Sequence, residues 1–218
     1  MGEDYSSSGI LNKLRPVGIV DACSAYEPLN PPLHHCMTRV APDMTLIQSA
    51  IKQCASAGCG SIWVCCDESF QPLIKQTVGD FTKDPKNVAK SMFSRYPKDN
   101  QVDIPIYTML MIYHFSKSIS RWTIPDKYFI TRPSSFVSLG CLLQNRELFS
   151  SKYNVMMTYS GHSFLTDDDL PFTLDSKQVV KIIFNLKNNS TFKRLTDIKF
   201  SDIIKYLNVD EYKKIELE

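Results

Sequence analysis

Between residues 17 and 78 the chain switches twice between two hydrophobic periods, and that alternation limits the folds open to it. Residues 17–20, Val-Gly-Ile-Val, are a short apolar run bounded by Pro16 and Asp21, as in a buried parallel strand. From Thr45 the period lengthens. Leu46, Ile47, Ala50, Ile51, Cys54 and Ala57 recur at helical spacing, Thr45 with Gln48 makes a capping box ahead of them, and Gly58 and Gly60 end the segment. Residues 61–66, Ser-Ile-Trp-Val-Cys-Cys, return to strand character, and a second helix is expected over about 70–78, stopped by Gly79. Strand, loop, helix, strand, helix requires a mainly parallel sheet with helices on its faces, joined right-handedly. The fold class is therefore α/β.

The remaining segments fit that scheme. Strands are expected over 104–107, 127–131, 154–159 and 170–174, with an edge strand over 213–217; helices are expected over 87–93, 109–122, 142–149, 175–187 and 201–207. Residues 21–43 hold four prolines and read as a long functional or docking loop after the first strand. Residues 1–12 are polar and Ser-rich, a flexible N-terminal arm, and 13–218 read as a single α/β domain without internal repeat or linker.

Composition excludes several classes of function. With 25 Lys and Arg against 23 Asp and Glu the net charge is +2, too balanced to signal a nucleic-acid partner. No run approaches the ~18 apolar residues of a membrane helix, and the start lacks signal-peptide order, so a cytoplasmic protein is expected. A chain of 218 residues buries roughly 70% of its unfolded surface, enough to dispense with disulfide staples. The seven cysteines are odd in number, fall largely in apolar segments and include no CxxC pair, which favours reduced thiols over a zinc site. His34, His35 and Cys36 follow Pro31-Pro32 without a companion cluster, and a packed or solvated loop explains them.

In open α/β sheets ligands bind beyond the carboxyl ends of the strands, which directs attention to residues 21–33, 67–70 and 132–137. The run Gly18-Ile-Val-Asp-Ala-Cys-Ser-Ala-Tyr-Glu-Pro-Leu29, the helical segment from Thr45 to Gly58, then Ser61-Ile-Trp-Val-Cys-Cys and Pro72-Leu-Ile-Lys-Gln-Thr-Val-Gly-Asp80 resemble the N-terminal half of sugar-phosphate nucleotidyltransferases. The resemblance spans about the first 80 residues and extends more loosely to Val137. It implies a three-layer Rossmann-like sheet of the glycosyltransferase A type, Mg²⁺ as cofactor of an active form, and a nucleotide or sugar phosphate as ligand. The later stretch from Ile119 to Phe129 is similar to nucleotidyltransferase-like proteins of large tailed phages, which implies a viral protein in a host cytoplasm.

The chain departs from that family where the chemistry sits. The family's loop uses glycines to bring backbone N–H groups to the phosphates, and Arg and Lys to neutralise charge as pyrophosphate leaves. Residues 22–28 contain neither glycine nor a basic residue, Asp43 follows Pro42 where the resemblance puts a Lys, and Arg132-Pro133-Ser134-Ser135 follows the strand where it puts a metal-binding Asp. The expected ligand-binding residues are Asp21, Ser24, Tyr26, Asp67 and Arg132, with no metal ligand assigned. Each also has a bland reading: Asp21 as a loop cap, Asp67 with Glu68 as first-turn acids of a helix, and Arg132 as a surface residue. The Asp167-Asp168-Asp169 run reads as a solvated turn, Trp63 and Trp122 as core, and His114 and His162 lack triad partners. Two functions follow as expectations: a nucleotidyltransferase-like protein with a degenerate nucleotide or sugar-phosphate site, or a non-catalytic binding or assembly module with a protein partner.

Overall fold

The computed structural model describes residues 15–22, 35–87, 101–108, 127–159, 170–178 and 212–217. In chain order the elements are β1 (Val17–Asp21), β2 (Arg39–Ala41), β3 (Met44–Thr45), α1 (Leu46–Ala57), β4 (Ser61–Cys66), α2 (Gln71–Val78), β5 (Phe81–Lys83), β6 (Gln101–Asp103), β7 (Ile106–Thr108), β8 (Lys127–Thr131), α3 (Leu139–Gln144), α4 (Arg146–Phe149), β9 (Asn154–Tyr159), β10 (Phe172–Asp175) and β11 (Tyr212–Leu217). One large sheet has the order β11-β9-β10-β8-β1-β4-β6-β5, with β7 also on β4, and β2 with β3 makes a separate hairpin. At its centre β1 lies parallel to both β4 and β8, and β4 is parallel to β6 and β7. β10 is antiparallel to β8 and β9, β5 is antiparallel to β6, and β11 is parallel to β9. The mainly parallel α/β sheet expected from the alternation is therefore present.

α1 packs on the sheet face made by Gly18, Val20, Ile62, Val64, Cys66 and Phe129, all buried. Gly18 is required by that approach: a Cβ there would lie 2.9 Å from Cys54 Sγ and 3.2 Å from Cys59 Sγ. The helix begins as its sequence indicates. The Thr45 N–H donates to Gln48 Oε1 at 2.8 Å, and the Gln48 N–H donates back to Thr45 Oγ1 at 3.4 Å. It ends at Gly58, in the left-handed region at φ 93°, where the N–H of Cys59 reaches the Cys54 carbonyl at 3.1 Å. Phe129 and Phe149 meet edge to face at 5.3 Å, tying β8 to α4 across the core.

Several boundaries differ from the sequence expectation. The helix expected over 142–149 begins at Leu139 and is divided by Asn145, whose amide Nδ2 donates to the Cys141 carbonyl at 2.9 Å. The strand expected over 104–107 is two short pieces around Ile104-Pro105: proline has no N–H for a ladder, although its carbonyl accepts from Val64 N–H at 3.0 Å. The β2–β3 hairpin, at the end of the proline-rich loop segment, and β5 are strands that were not expected. The helices expected over 87–93, 109–122 and 201–207 lie outside the described residues, apart from the first residue of one, and only 176–178 of the helix expected over 175–187 is described, as helix. No helix among the described residues is long and apolar enough to cross a membrane.

Candidate functional site

The parallel strands β1, β4 and β8 point their carboxyl ends to one edge of the sheet, where Asp21, Asp67 and Arg132 lie at or just past the strand ends. Asp21 closes β1 and pairs in register with Cys65 of β4, while Val20 pairs with Thr131 of β8. Arg132 directly follows Thr131, the last residue of β8, at the same edge. Cys65 pairs onward with Tyr107 of β7. A row of Asp21, Cys65 and Tyr107 thus runs across three strand ends, with Asp67 two residues beyond Cys65 and Arg132 just past the end of β8. The Ala22 N–H donates to the Cys65 carbonyl at 2.8 Å, so the ladder persists to the last described residue of this segment.

The electrostatics of the row come from burial. Asp21 is 7% exposed and engaged in contacts of its own, hence part of the fold as well as of the edge. Burial pushes the Cys65 thiol well up, and the Asp21 and Cys66 charges add to the effect, so Cys65 is a neutral thiol. Cys66, pushed up to about 11 by burial and then by Asp67, is equally unreactive. Asp67 is half-buried and occupies the N-cap of the Glu68–Phe70 turn without making a side-chain cap. With Glu68 it lies at the N-terminus of that turn. Arg132 is half-exposed and opens a turn closed by the Ser135 N–H on its carbonyl at 3.0 Å. Ser24 and Tyr26 lie outside the described residues.

Other cations that sequence alone leaves available are placed elsewhere. Lys127 starts β8, at the opposite end of the sheet, and its ammonium donates to the carbonyls of Ser151 and Tyr153. Arg146 reaches the Gly58 corner, next to Pro16 at the start of β1, where it grips Asp84 through two hydrogen bonds of 2.6 and 2.5 Å. Arg15 stands 3.9 Å from the same carboxylate. Of Lys127, Arg132 and Arg146, only Arg132 lies by the carboxyl ends of the central strands.

Magnesium requires oxygen ligands, and among the described residues no group of three or more His, Cys, Asp or Glu could hold a metal ion. Asp21 and Asp67 fit only the looser arrangement in which a nucleotide's phosphates hold the ion and one or two carboxylates support it. Among the described residues six cysteines are free thiols, five of them buried.

No protein-family model and no curated protein matches the chain. Solved structures do. The chain is similar to the 4-diphosphocytidyl-2C-methyl-D-erythritol synthase of Anaerococcus prevotii, with a TM-score of 0.57 and 10% identity over 96% of this chain and 90% of that one. It is similar to a protein described as a glucose-1-phosphate thymidylyltransferase from Bacillus anthracis, with a TM-score of 0.58 and 10% identity over 92% and 86%. The inositol-1-phosphate CTP transferase of T. maritima aligns at 0.57, with 12% identity over 93% and 86%. At these identities the likeness is one of fold: the chain has the Rossmann-like α/β architecture of the nucleotidyltransferases, as its resemblance to them implied.

Proposed function

We propose that this protein binds a nucleotide or sugar phosphate across the carboxyl ends of β1, β4 and β8, in a site that has lost most of the equipment for nucleotidyl transfer. The observation that supports this reading is the placement of Asp21, Asp67 and Arg132 at or just past the carboxyl ends of β1, β4 and β8, on a sheet whose fold is that of nucleotidyltransferases. Arg132 would neutralise phosphate charge; Asp67, Ser24, Tyr26 and Asp21 would meet the sugar, the base or a phosphate-bound Mg²⁺. The absence of glycine and basic residues from 22–28, and Asp43 in place of a Lys, argue that transfer is weak or gone, because pyrophosphate departure develops charge that nothing there offsets. Free, buried thiols suit a reducing, cytoplasmic setting.

A thermal-shift screen with the four NTPs, nucleoside diphosphate sugars and sugar 1-phosphates, each with and without Mg²⁺, tests this directly. A ligand at about 100 times its dissociation constant adds about 2.7 kcal/mol of stability, and Asp67→Ala should reduce that gain. Silence across the panel would discard the reading. One observation favours a second: Phe136, Leu139 and Leu143 are 53, 39 and 38% exposed around the start of α3, an apolar surface suited to an assembly module. Elution well above 24.9 kDa without any ligand response would select it.

A further inference from the structure

Gln53 stands on the face of α1 that enters the core and is 1% exposed, a place where an apolar side chain is the rule. Its Nε2 donates a 2.7 Å hydrogen bond to the carbonyl of Ser135, 82 residues further along the chain. Ser135 is also 1% exposed, and its own N–H closes the turn Arg132-Pro133-Ser134-Ser135 on the Arg132 carbonyl. Gln53 Oε1 and Ser135 Oγ make no hydrogen bond among the described residues. A buried amide that uses one end and leaves the other unsatisfied contributes less to stability than a well-packed apolar side chain of its size. What it does contribute is position, because a hydrogen bond fixes the Ser135 carbonyl in direction as well as distance, which hydrophobic contact does not.

We propose that Gln53 is a positioning residue for Arg132. From the helix on one face of the sheet it clamps the last residue of a four-residue turn, and the turn's internal hydrogen bond passes that constraint to Arg132 at the ligand edge. Pro133, buried and fixed in φ, leaves the turn few ways to relax between the two points. Arg132 is thereby held toward a phosphate instead of sampling the surface, which lowers the entropy lost on binding. This inference rests on the reading of the strand ends as a phosphate site.

The test uses the full chain, the variants Gln53→Met and Arg132→Ala and their combination, with inorganic pyrophosphate as probe. Gln53→Met removes the donor and the unsatisfied oxygen at similar volume but leaves the buried Ser135 carbonyl without that donor, so the melting temperature should fall by a few degrees while the Ser135 amide exchanges about tenfold faster and the β8 amides do not change. Introduced into the otherwise wild-type chain, Gln53→Met should lower pyrophosphate affinity about tenfold. Added to Arg132→Ala it should lower it less than about twofold further, the signature of coupled residues. Gln53→Leu, which also lacks the donor and brings no charge into the core, should behave alike and serves if Gln53→Met does not fold. Equal losses with and without Arg132→Ala, or an unchanged Ser135 amide, would overturn the proposal. A wild type that ignores millimolar pyrophosphate would overturn the phosphate reading together with the role of Arg132, and the exchange data would then show whether clamp or ligand had failed.

Discussion

Burial alone would push the Asp84 carboxyl up, yet the two hydrogen bonds from Arg146, with Arg15 nearby, hold it below its usual 3.8. A carboxylate depressed on folding stabilises the native state above its ordinary range and loses that contribution as pH falls through the folded value. Asp84→Asn, which leaves the buried Arg146 charge without its partner, should cost about 3 kcal/mol in urea unfolding at pH 7, with the gap to wild type narrowing toward pH 3. Lys127 works in the opposite sense. Only 6% exposed, it is pushed down to about 8 by burial, against an upward pull from Asp175. Its folded value lies below the free value of 10.5, so between about pH 8 and 10 the unfolded chain binds more protons and the Lys127 contribution rises with pH. Buried thiols act against it above pH 9, Cys36 being pushed up to about 12 by burial and then by Cys66. The quantity to measure is therefore the stability difference between wild type and Lys127→Met. It should move toward wild type from pH 7 to 9.5, and a flat difference would show that the ammonium is better solvated than its burial indicates.

At the scale of the element, the turn that ends α1 couples two features that sequence treats as separate. Gly58 takes φ 93°, and a Cβ there would sit 2.5 Å from Arg146 Nε and 2.8 Å from its Cγ. Gly58→Ala therefore strains a left-handed cap and also displaces the guanidinium that holds Asp84. A loss of about 2–4 kcal/mol is expected, sub-additive with Arg146→Met in a double-mutant cycle. Full additivity would mean that Arg146 keeps its grip on Asp84 from another rotamer. α1 itself was legible because its signals are local: the capping box, the 3.6-residue apolar spacing and the terminal glycine all lie within 14 residues of sequence, from Thr45 to Gly58. The Asn145 break was not, since it depends on a side chain bonding back to its own helix. β5 and the β2–β3 hairpin also escaped, being two or three residues long and too short to show a period.

Across the whole molecule, parallel pairing of β1, β4 and β8 sorts the basic residues by end. If ligand binds at the carboxyl ends, Arg132→Ala should lower the nucleotide-induced thermal shift by more than half, whereas Lys127→Met, at the opposite end, should leave the shift intact once its own stability change is subtracted. Equal effects would contradict the placement. The position of Asp21 and Asp67 at strand ends was readable from sequence because a strand's end is where its apolar run stops. That Asp21 is 7% exposed, lies in register with Cys65 and shares its sheet edge with Arg132 rather than with Lys127 or Arg146 was not. Sequence by itself determined the alternation of elements, the α/β class and the caps of α1, since each rests on periodicity or on contacts a few residues apart. Only the tertiary structure decided which polar groups share a site. Asp84 meets Arg146 across 62 residues and Gln53 meets Ser135 across 82, and contacts at that range follow from strand order and register, which no local pattern encodes.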